Sequence, residues 1–535
     1  MSIKIIYSDI SPDAKADSTP SAERVQDFVK PDDLKSENTV GNYATVETDR
    51  WLLDGSFGGF PDDTVSAKLG IWGKYLSGED GAFSDGQTPT LTRVFSGKHK
   101  TIGVTFTFDT HCGDYCRSLN VKWYNDSTLA ADRDYEPNST IYFCEQSVAA
   151  FNKMVVTFRA MNKKDRYLKL FAVDDGAIRV FEGRELESVQ LLEGISPISE
   201  DLSINTLDFS LCSKDNTAFA FQKKQPFKVY RNDKLMGCFF TETAKRMSER
   251  KYDVSAEDYI GLLDKMRFRG GLYDTDAAAV LAEIMGDIPY SAESDLQSVS
   301  VKGYIPVCTR REALGQLLFV IGRAADTSRS DKVEIKKLSG DTHVIDKKNI
   351  FQGESCEIGD IYTKVEVTEH SYTLTAEQTE LYNEALSGET TVYFSAPHGS
   401  LTVTGGSIKE SGVNFAVLTG TGATVVLRGC EYKDTASVKT KTNPDVLSGT
   451  AENCVRVDNA GLINKDNSEE ILNRVYSHYM ANRTIGTKLV LANGERTGDR
   501  VKYPTAYDGD VYARIIGLDL SLYNKLIGQA VIKLE

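Results

Sequence analysis

Histidine and cysteine are the side chains best suited to metal binding, nucleophilic attack and proton transfer near neutral pH. The chain has 535 residues, with six histidines and nine cysteines. One close group stands out, His111-Cys112-Gly-Asp-Tyr-Cys116. A closed zinc site needs four ligands, usually in two pairs, and the sequence holds no second close pair. An odd number of widely spaced cysteines also argues against a disulfide scaffold. We therefore expect reduced thiols, no metal and no cofactor.

Motifs for catalysis are absent from the sequence. It contains no GxSxG, no HExxH, no GxxxxGK[ST] and no glycine-rich dinucleotide fingerprint. Acidic pairs such as Asp174-Asp175 and Glu469-Glu470 are common in a chain with 77 acidic residues. The run Asp174-Asp175-Gly176 is more typical of a turn than of a carboxylate pair for acid–base chemistry. We predict that the protein is not an enzyme and has no catalytic residues.

Aromatic rings are the remaining candidates for a binding site. The three tryptophans are Trp51, Trp72 and Trp123. Tryptophan faces stack on sugar rings through apolar contacts, and they also anchor protein interfaces. Trp51 precedes two leucines and Trp123 alternates with Leu119 and Val121, so we expect both in a core. Trp72, which lies between two glycines, is the one candidate carbohydrate-binding residue, with core packing as its alternative.

The charge of the chain limits its partners. It has 62 Lys and Arg against 77 Asp and Glu, a net charge of −15. Stable binding along a nucleic-acid backbone needs clustered cations, so we do not expect it. No apolar run approaches the ~18–20 residues that span a bilayer. The N-terminus lacks the apolar region of a signal peptide, so we expect synthesis in the cytoplasm without a signal peptide.

The order of sequence patterns predicts five segments. Residues 1–40 are polar and indicate a flexible arm. Short alternating runs such as Val104–Phe108, separated by turn residues, predict an antiparallel β-sandwich over 41–190, which could bind carbohydrate. Strands followed by helices occupy 191–325, and a β-rich stretch follows over 326–455. A helix and closing β-strands complete the chain over 456–535.

Capping signals place three helices in the segment 191–325. Ser255 is a predicted N-cap before apolar residues at helical spacing, and Thr275 is a predicted N-cap for a helix that Gly286 ends. Thr309-Arg-Arg-Glu312 matches a capping box, in which each side chain bonds the backbone of the other residue.

The order of these elements resembles phage tail-tip and baseplate hub proteins of Firmicutes phages and prophages. This class includes the Tal-like proteins of long-tailed phages and the hubs of contractile tails. The segments that carry the resemblance are Ala44–Ser56, Gly70–Trp72, Trp123-Tyr124, Ile198–Phe209, Gln225–Tyr230, Gly237–Phe240, Tyr252–Leu263, Gly270–Tyr273, Thr309–Leu314, Gly498–Val501 and Ile516–Ser521. The implied fold class is α+β and mostly β, with an N-terminal antiparallel β-sandwich followed by hub-like β-barrel domains with an αβ insert.

The resemblance implies a structural virion protein at the tail tip or baseplate of a phage, prophage or tailocin. Two similar barrels per subunit would let a homotrimer match the six-fold tail tube and close its distal end. The implied partners are the tail tube, distal tail and tape-measure proteins, and a central spike or receptor-binding protein. DNA would pass transiently through the lumen. An acidic lumen wall would repel its phosphates, although a solvated acidic surface explains the charge equally well.

Two other functions stay open. The first is a carbohydrate-binding adhesin of the tail tip, acting through Trp72 or through tyrosine-rich loops. The second is a cell-wall hydrolase of an unrecognised type. Many relatives carry a C-terminal peptidase or glycosidase, whereas this sequence stops at Glu535, soon after the barrel strands. We therefore expect any lytic activity to belong to a partner.

Overall fold

The structure is a computed structural model. It describes residues 2–10, 12–35, 43–62, 69–212, 221, 225–338, 340–447, 449–506, 509–523 and 527–535. The chain divides into two compact units, Ile6–Val180 and Phe181–Glu535 with residues 2–5. Strands greatly outnumber helices and pair mostly antiparallel, which confirms the predicted fold class. No helix in the described part of the chain is long and apolar enough to cross a bilayer.

The N-terminal unit is an antiparallel β-sandwich. Its elements are β1 (Ile3–Ile10), α1 (Pro12–Asp17), β2 (Ser18–Glu23), a 3-10 turn (Pro31–Lys35), β3 (Ile71–Trp72), β4 (Thr90–Phe108), β5 (Cys116–Asn125), β6 (Thr128–Tyr135), β7 (Ile141–Met161) and β8 (Lys169–Glu182). One edge of β4 pairs with β7, and its other edge pairs with β2 and then with β8. β7 continues to β5, and β5 to β6. The apolar members of the alternating runs, such as Val104 and Phe106, are fully buried.

The structure corrects the assignment of a flexible arm. β2 pairs with β4 from Ser18 opposite Phe95 to Glu23 opposite Thr90. Ala14 and Leu34 belong to the sandwich core. β2 lies at a sheet edge and buries only small residues, so hydropathy did not reveal it. Residues 1, 11 and 36–40 of the predicted arm lie outside the described residues.

The C-terminal unit begins and ends with strands and holds its helices between them. Its strands and helices are β9 (Leu186–Gly194), β10 (Thr206–Cys212), β11 (Pro226–Arg231), β12 (Lys234–Arg246), β13 (Lys251–Glu257), α2 (Tyr259–Asp264), β14 (Arg267–Phe268), β15 (Gly271–Asp276), α3 (Ala277–Met285), β16 (Tyr290–Ala292), β17 (Ser300–Ile305), β18 (Cys308–Thr309), α4 (Arg310–Ile321), β19 (Ala324–Asp326), β20 (Val333–Lys336), β21 (Thr342–Val344), β22 (Ser355–Ile358), β23 (Lys364–Tyr393), β24 (His398–Thr404), β25 (Gly406–Ser411), β26 (Phe415–Thr442), β27 (Cys454–Val457), α5 (Ser468–Met480), β28 (Arg483–Val490), β29 (Arg500–Pro504), β30 (Asp510–Ser521) and β31 (Ile527–Leu534).

Two sheets from the two ends of this unit meet edge to edge. The first has the order β9–β10–β13–β12–β11. The second has the order β21–β29–β30–β31–β28–β22. β21 pairs with β29 at one edge of the second sheet, and β22 pairs with β28 at its other edge. These two edge strands follow one another in sequence. β9 pairs with β30 from Gly194 opposite Gly517 to Gln190 opposite Ser521, which joins the two sheets.

Helices α2, α3, α4 and α5 of this unit share one core. Leu317, Val333, Val455 and Val475 belong to the same cluster. The small sheet β16–β20–β19 also uses strands from both sides of the predicted boundary at residue 325. The predicted segments 191–325, 326–455 and 456–535 therefore lie in one compact unit. β23 and β26 form a long antiparallel pair. Together with β24 and β25 they build a second, small core.

The helix caps follow the sequence in part. The capping box is confirmed, since Thr309 Oγ1 accepts from Glu312 N at 3.1 Å and Glu312 Oε2 accepts from Thr309 N at 2.8 Å. The caps predicted at Ser255 and Thr275 are wrong. β13 continues through Ser255 and β15 through Thr275, and the caps are Asp258 and Asp276. Sheet pairing outweighed the local preference of a hydroxyl side chain for a cap.

Candidate functional site

The one close histidine–cysteine group is part of the sandwich. Cys116 is fully buried and its Sγ donates to Ser118 O at 3.1 Å. Burial raises the pKa of the Cys116 thiol to about 12, and burial with the nearby Asp109 charge raises that of Cys112 to about 11. Both thiols are therefore poor nucleophiles at neutral pH. Within the described ranges, no group of three or more His, Cys, Asp or Glu side chains could hold a metal.

Trp72 is not the exposed sugar platform that the sequence indicated. Its side chain is 2% exposed, and its Nε1 donates to Leu69 O at 3.0 Å. Phe28 and Tyr43 contact the ring edge to face, and Lys169 Nζ lies 4.9 Å from its centre. The ring is enclosed by protein, so it offers no face to a sugar.

Trp51 is the exposed tryptophan, and its predicted burial is wrong. It is 59% exposed, Leu52 is 45% exposed, Leu53 is fully exposed and Phe60 is 62% exposed. Trp123 is fully buried, as its alternation predicted. Trp51, Leu52 and Leu53 are consecutive, and a run of exposed large apolar side chains typically marks a contact site.

Buried charges hold the loop that carries Trp51. Glu47 is fully buried and accepts from Lys169 Nζ at 2.6 Å and from Tyr167 N at 2.9 Å. Arg50 Nη2 donates to the buried Asp114 at 3.0 Å. Ion pairs that are buried and completed by hydrogen bonds tolerate little displacement. The loop is therefore anchored at residues next to the exposed tryptophan.

Asp174 and Asp175 are structural residues of β8. They do not form the turn that the sequence predicted. Arg93 donates to both oxygens of Asp175, at 2.9 and 2.8 Å, with both side chains buried. Lys15 Nζ binds Asp174 at 2.8 Å. Both carboxylates form ion pairs, with Arg93 and with Lys15, so they are poorly placed for acid–base chemistry.

A network of buried carboxyl groups lies where the two sheets of the C-terminal unit meet. Glu193 on β9 lies opposite Leu518 on β30 and is buried. Among the described residues, neither of its carboxyl oxygens has a hydrogen-bond partner, and Arg329 Nη2 lies 3.6 Å away. Burial raises the pKa of Glu193 to about 7, while Arg329 opposes the shift. Arg329 also donates to Gly494 O and Glu495 O, both at 2.8 Å, which connects β9 with the loop before β29.

Asp258 is a second buried carboxyl group, at the start of helix α2. It caps α2 by accepting from Ile260 N at 2.9 Å, and its other oxygen accepts from Asn205 N at 3.1 Å and from Thr327 Oγ1. Burial raises the pKa of Asp258 to about 6. Sequence analysis missed this residue, although an acid immediately before an apolar helical run is an N-cap signal.

The largest cavity described in the C-terminal unit has a volume of about 640 Å³. Its lining includes Tyr273, Glu369, His370 and Tyr372. His370 Nδ1 bonds Asp434 at 2.7 Å, and its Nε2 is buried without a hydrogen-bond partner among the described residues. The histidine of this lining is therefore positioned by Asp434.

Comparison with known proteins gives remote structural likenesses. No protein-family model and no curated protein sequence matches this chain. A 43 kDa tail protein of prophage MuSo2 from Shewanella oneidensis has 9% identity and a TM-score of 0.41, over 66% of this chain and 95% of that one. The prophage tail protein gp18 from Listeria monocytogenes EGD-e has 11% identity and a TM-score of 0.39, over 66% and 91%.

The family 32 carbohydrate-binding module of NanJ from C. perfringens, solved with galactose, has 12% identity and a TM-score of 0.20. The likeness covers 30% of this chain and 94% of that one. At these identities and TM-scores, none of the three likenesses assigns a fold or a function to this chain.

Proposed function

We propose that this protein is a structural subunit of a phage-like tail, located in a hub at the distal end of the tail tube, and that three copies form a ring. The observation that carries the proposal is the joined pair of sheets. Strands β9–β13 form one β-sheet and strands β21, β22 and β28–β31 form its neighbour, and the pairing of β9 with β30 connects the two. The sequence resemblance to tail hubs supports the same assignment.

The joined sheets explain how such a subunit would match symmetry. One chain places two β-sheets side by side, so three copies around an axis present six sheets to a six-fold tube. A ring of this kind needs extensive contacts between neighbouring copies, typically above ~2,000 Å² for permanent assemblies. Both sheets are fixed relative to each other by main-chain pairing, which suits a rigid adaptor.

The partners follow from this position. We infer contacts with the tail tube, distal tail and tape-measure proteins, and with a central spike or receptor-binding protein. A lumen lined by this chain, with its net charge of −15, would let DNA pass without retaining it. We infer that any lytic activity would belong to a partner of this chain.

Antibody labelling of tail-bearing particles from the producing cells, viewed by electron microscopy, tests the location. Label confined to the distal end of the tail supports the proposal, and the same antibody absorbed with the purified chain is the control. Label on the head, along the tube or only on whole cells would overturn it. Sedimentation equilibrium of the chain, alone and with its tail tube protein, tests the three-copy ring.

A further inference from the structure

The sandwich displays an apolar surface that its own unit does not cover. We call the exposed side chains of the consecutive residues Trp51, Leu52 and Leu53 the loop patch. Trp51–Leu53 precede a turn in which Ser56 N donates to Asp54 Oδ1 at 2.9 Å. The loop is anchored beside this turn by the buried Arg50 contact described above. An anchored apolar loop loses little conformational freedom on binding, which favours a specific contact.

Acidic side chains flank the loop patch. Asp49 and Asp54 are both exposed and lie directly beside the apolar run. Hydrogen bonds from Ser56 lower the pKa of Asp54, so its carboxylate stays charged near neutral pH. A partner surface that matches this patch must therefore combine apolar and cationic side chains.

The chain itself carries such a surface at the end of the β12–β13 hairpin. We call the side chains of Lys245, Met247 and Arg250 the hairpin tip. All three are exposed, and Met247 is 59% exposed. In the described part of the chain, neither Lys245 nor Arg250 has an ion pair, whereas Lys251 is paired with Glu187 at 2.6 Å. Methionine is a flexible apolar side chain that fits varied partner surfaces.

We propose that the loop patch of one copy binds the hairpin tip of a second copy of this chain. Met247 would pack against the apolar loop, while Lys245 and Arg250 would face Asp49 and Asp54. Because the two surfaces differ, the contact is heterologous, and contacts of this type form a ring when the rotation between neighbouring copies closes. This contact would join neighbouring copies in the proposed ring. It rests on the proposed function only for the number of copies.

Other occupants fit the loop patch less well. A sugar site needs polar side chains that are free to bond the sugar beside the aromatic ring. Arg50, the charged neighbour of Trp51, is bonded to Asp114, and Asp54 accepts from Ser56 N. A bilayer surface with anionic lipids would repel Asp49 and Asp54. A second copy satisfies both the apolar and the charged parts of the patch.

Tryptophan fluorescence can report this contact directly. The structure describes all three tryptophans, and Trp72 and Trp123 are buried, so Trp51 alone faces solvent. Association at the loop patch should shift emission to shorter wavelength and reduce acrylamide quenching as the concentration of the full chain rises. The W51F variant should lose that change in emission.

Charge-swapped variants test the identity of the partner surface. K245E/R250E and D49K/D54K should each weaken association at least about tenfold, because like charges would then face each other. An equimolar mixture should recover association, because each altered surface meets its complement. L53D should also weaken association, whereas L129D, at another exposed leucine of the sandwich, should not.

The outcomes separate the possibilities. Recovery in the mixture supports the proposal. It is overturned if both charge variants associate like the parent, if the mixture does not recover, or if only galactose or phosphatidylcholine vesicles change the Trp51 emission. If antibody labels the distal tail but the charge variants associate like the parent, this contact alone is refuted. If antibody labels another location, the tail location is refuted and this contact is not affected.

Discussion

At the scale of single residues, burial decides the behaviour of the carboxyl groups. Glu193 has a pKa of about 7, above its ordinary value of 4.5, because burial disfavours its charged form. The folded state therefore holds this proton more tightly than the unfolded state does. The stabilisation that comes from this tighter proton binding is complete below the pKa of the unfolded state. It is lost as the pH rises through the pKa of Glu193 in the folded state.

Glu193→Gln should stabilise the protein at pH 8 and leave stability nearly unchanged at pH 4. The expected gain at pH 8 is about 3 kcal/mol in the free energy of unfolding, from about 1.4 kcal/mol per pKa unit. Urea unfolding at the two pH values measures it. Glu187→Gln is the matched control, because Glu187 is a more exposed glutamate of the same strand. An equal effect of both variants at pH 8 would contradict the argument.

Asp175→Asn should destabilise the sandwich, because it leaves the buried Arg93 guanidinium without a charged partner. Breaking such a pair costs about 3–5 kcal/mol. Thermal unfolding of the full chain would show the loss as a lowered first transition. The exposed pair Lys98–Asp126 provides the control, since Asp126→Asn should change stability far less than Asp175→Asn does.

The tryptophans show where local sequence reasoning fails at this scale. Trp123 could be predicted because strand alternation determines which side faces the core. Trp51 could not, since an apolar run in a loop carries no periodicity that reports its orientation. Trp72 has glycine neighbours that indicated exposure, but its burial depends on Phe28 and Tyr43, which lie far from it in sequence.

At the scale of elements, local signals were reliable when no sheet competed with them. The capping box at Thr309 formed as predicted. The strand pairs of β13 and β15 displaced the other two caps to Asp258 and Asp276. β2 escaped prediction because an edge strand of small residues needs no apolar pattern.

Asp258→Ala should cost more stability than Asp276→Ala, although both remove an N-cap. Asp276 is half-buried and accepts one backbone bond, and such caps contribute about 0.5–2 kcal/mol. Asp258 is buried, and its loss leaves Asn205 N and Ile260 N without their acceptor. Urea unfolding of the two variants at pH 8 compares them directly. Equal losses would show that Asp258 acts only as a cap.

At the scale of the whole molecule, the chain folds as two units whose limits the sequence revealed only in part. The mostly β class followed from alternation and turn residues. The joining of β9 to β30 could not be predicted, because pairing between distant strands depends on geometry rather than on local pattern. The same reason explains why three predicted segments share one core.

A fragment of residues 6–180 should fold cooperatively, whereas a fragment of residues 41–180 should be less stable or unfolded. The shorter fragment lacks β2, which covers one edge of β4, and it lacks Ala14 and Leu34 from the core. Circular dichroism with thermal melting distinguishes the two. Equal melting temperatures would mean that residues 6–40 do not contribute to the sandwich.

The pairing of β9 with β30 also sets an order of events during synthesis. Gln190 Nε2 bonds Asp519 Oδ1 at 2.8 Å across a separation of 329 residues, and Leu522 N bonds Val189 O at 3.1 Å. A nascent chain therefore carries β9 with one open edge until the residues of β30 have left the ribosome. Truncated chains keep that edge unpaired, which exposes them to quality control. Only a chain that has been translated past residue 522 can present the joined surface.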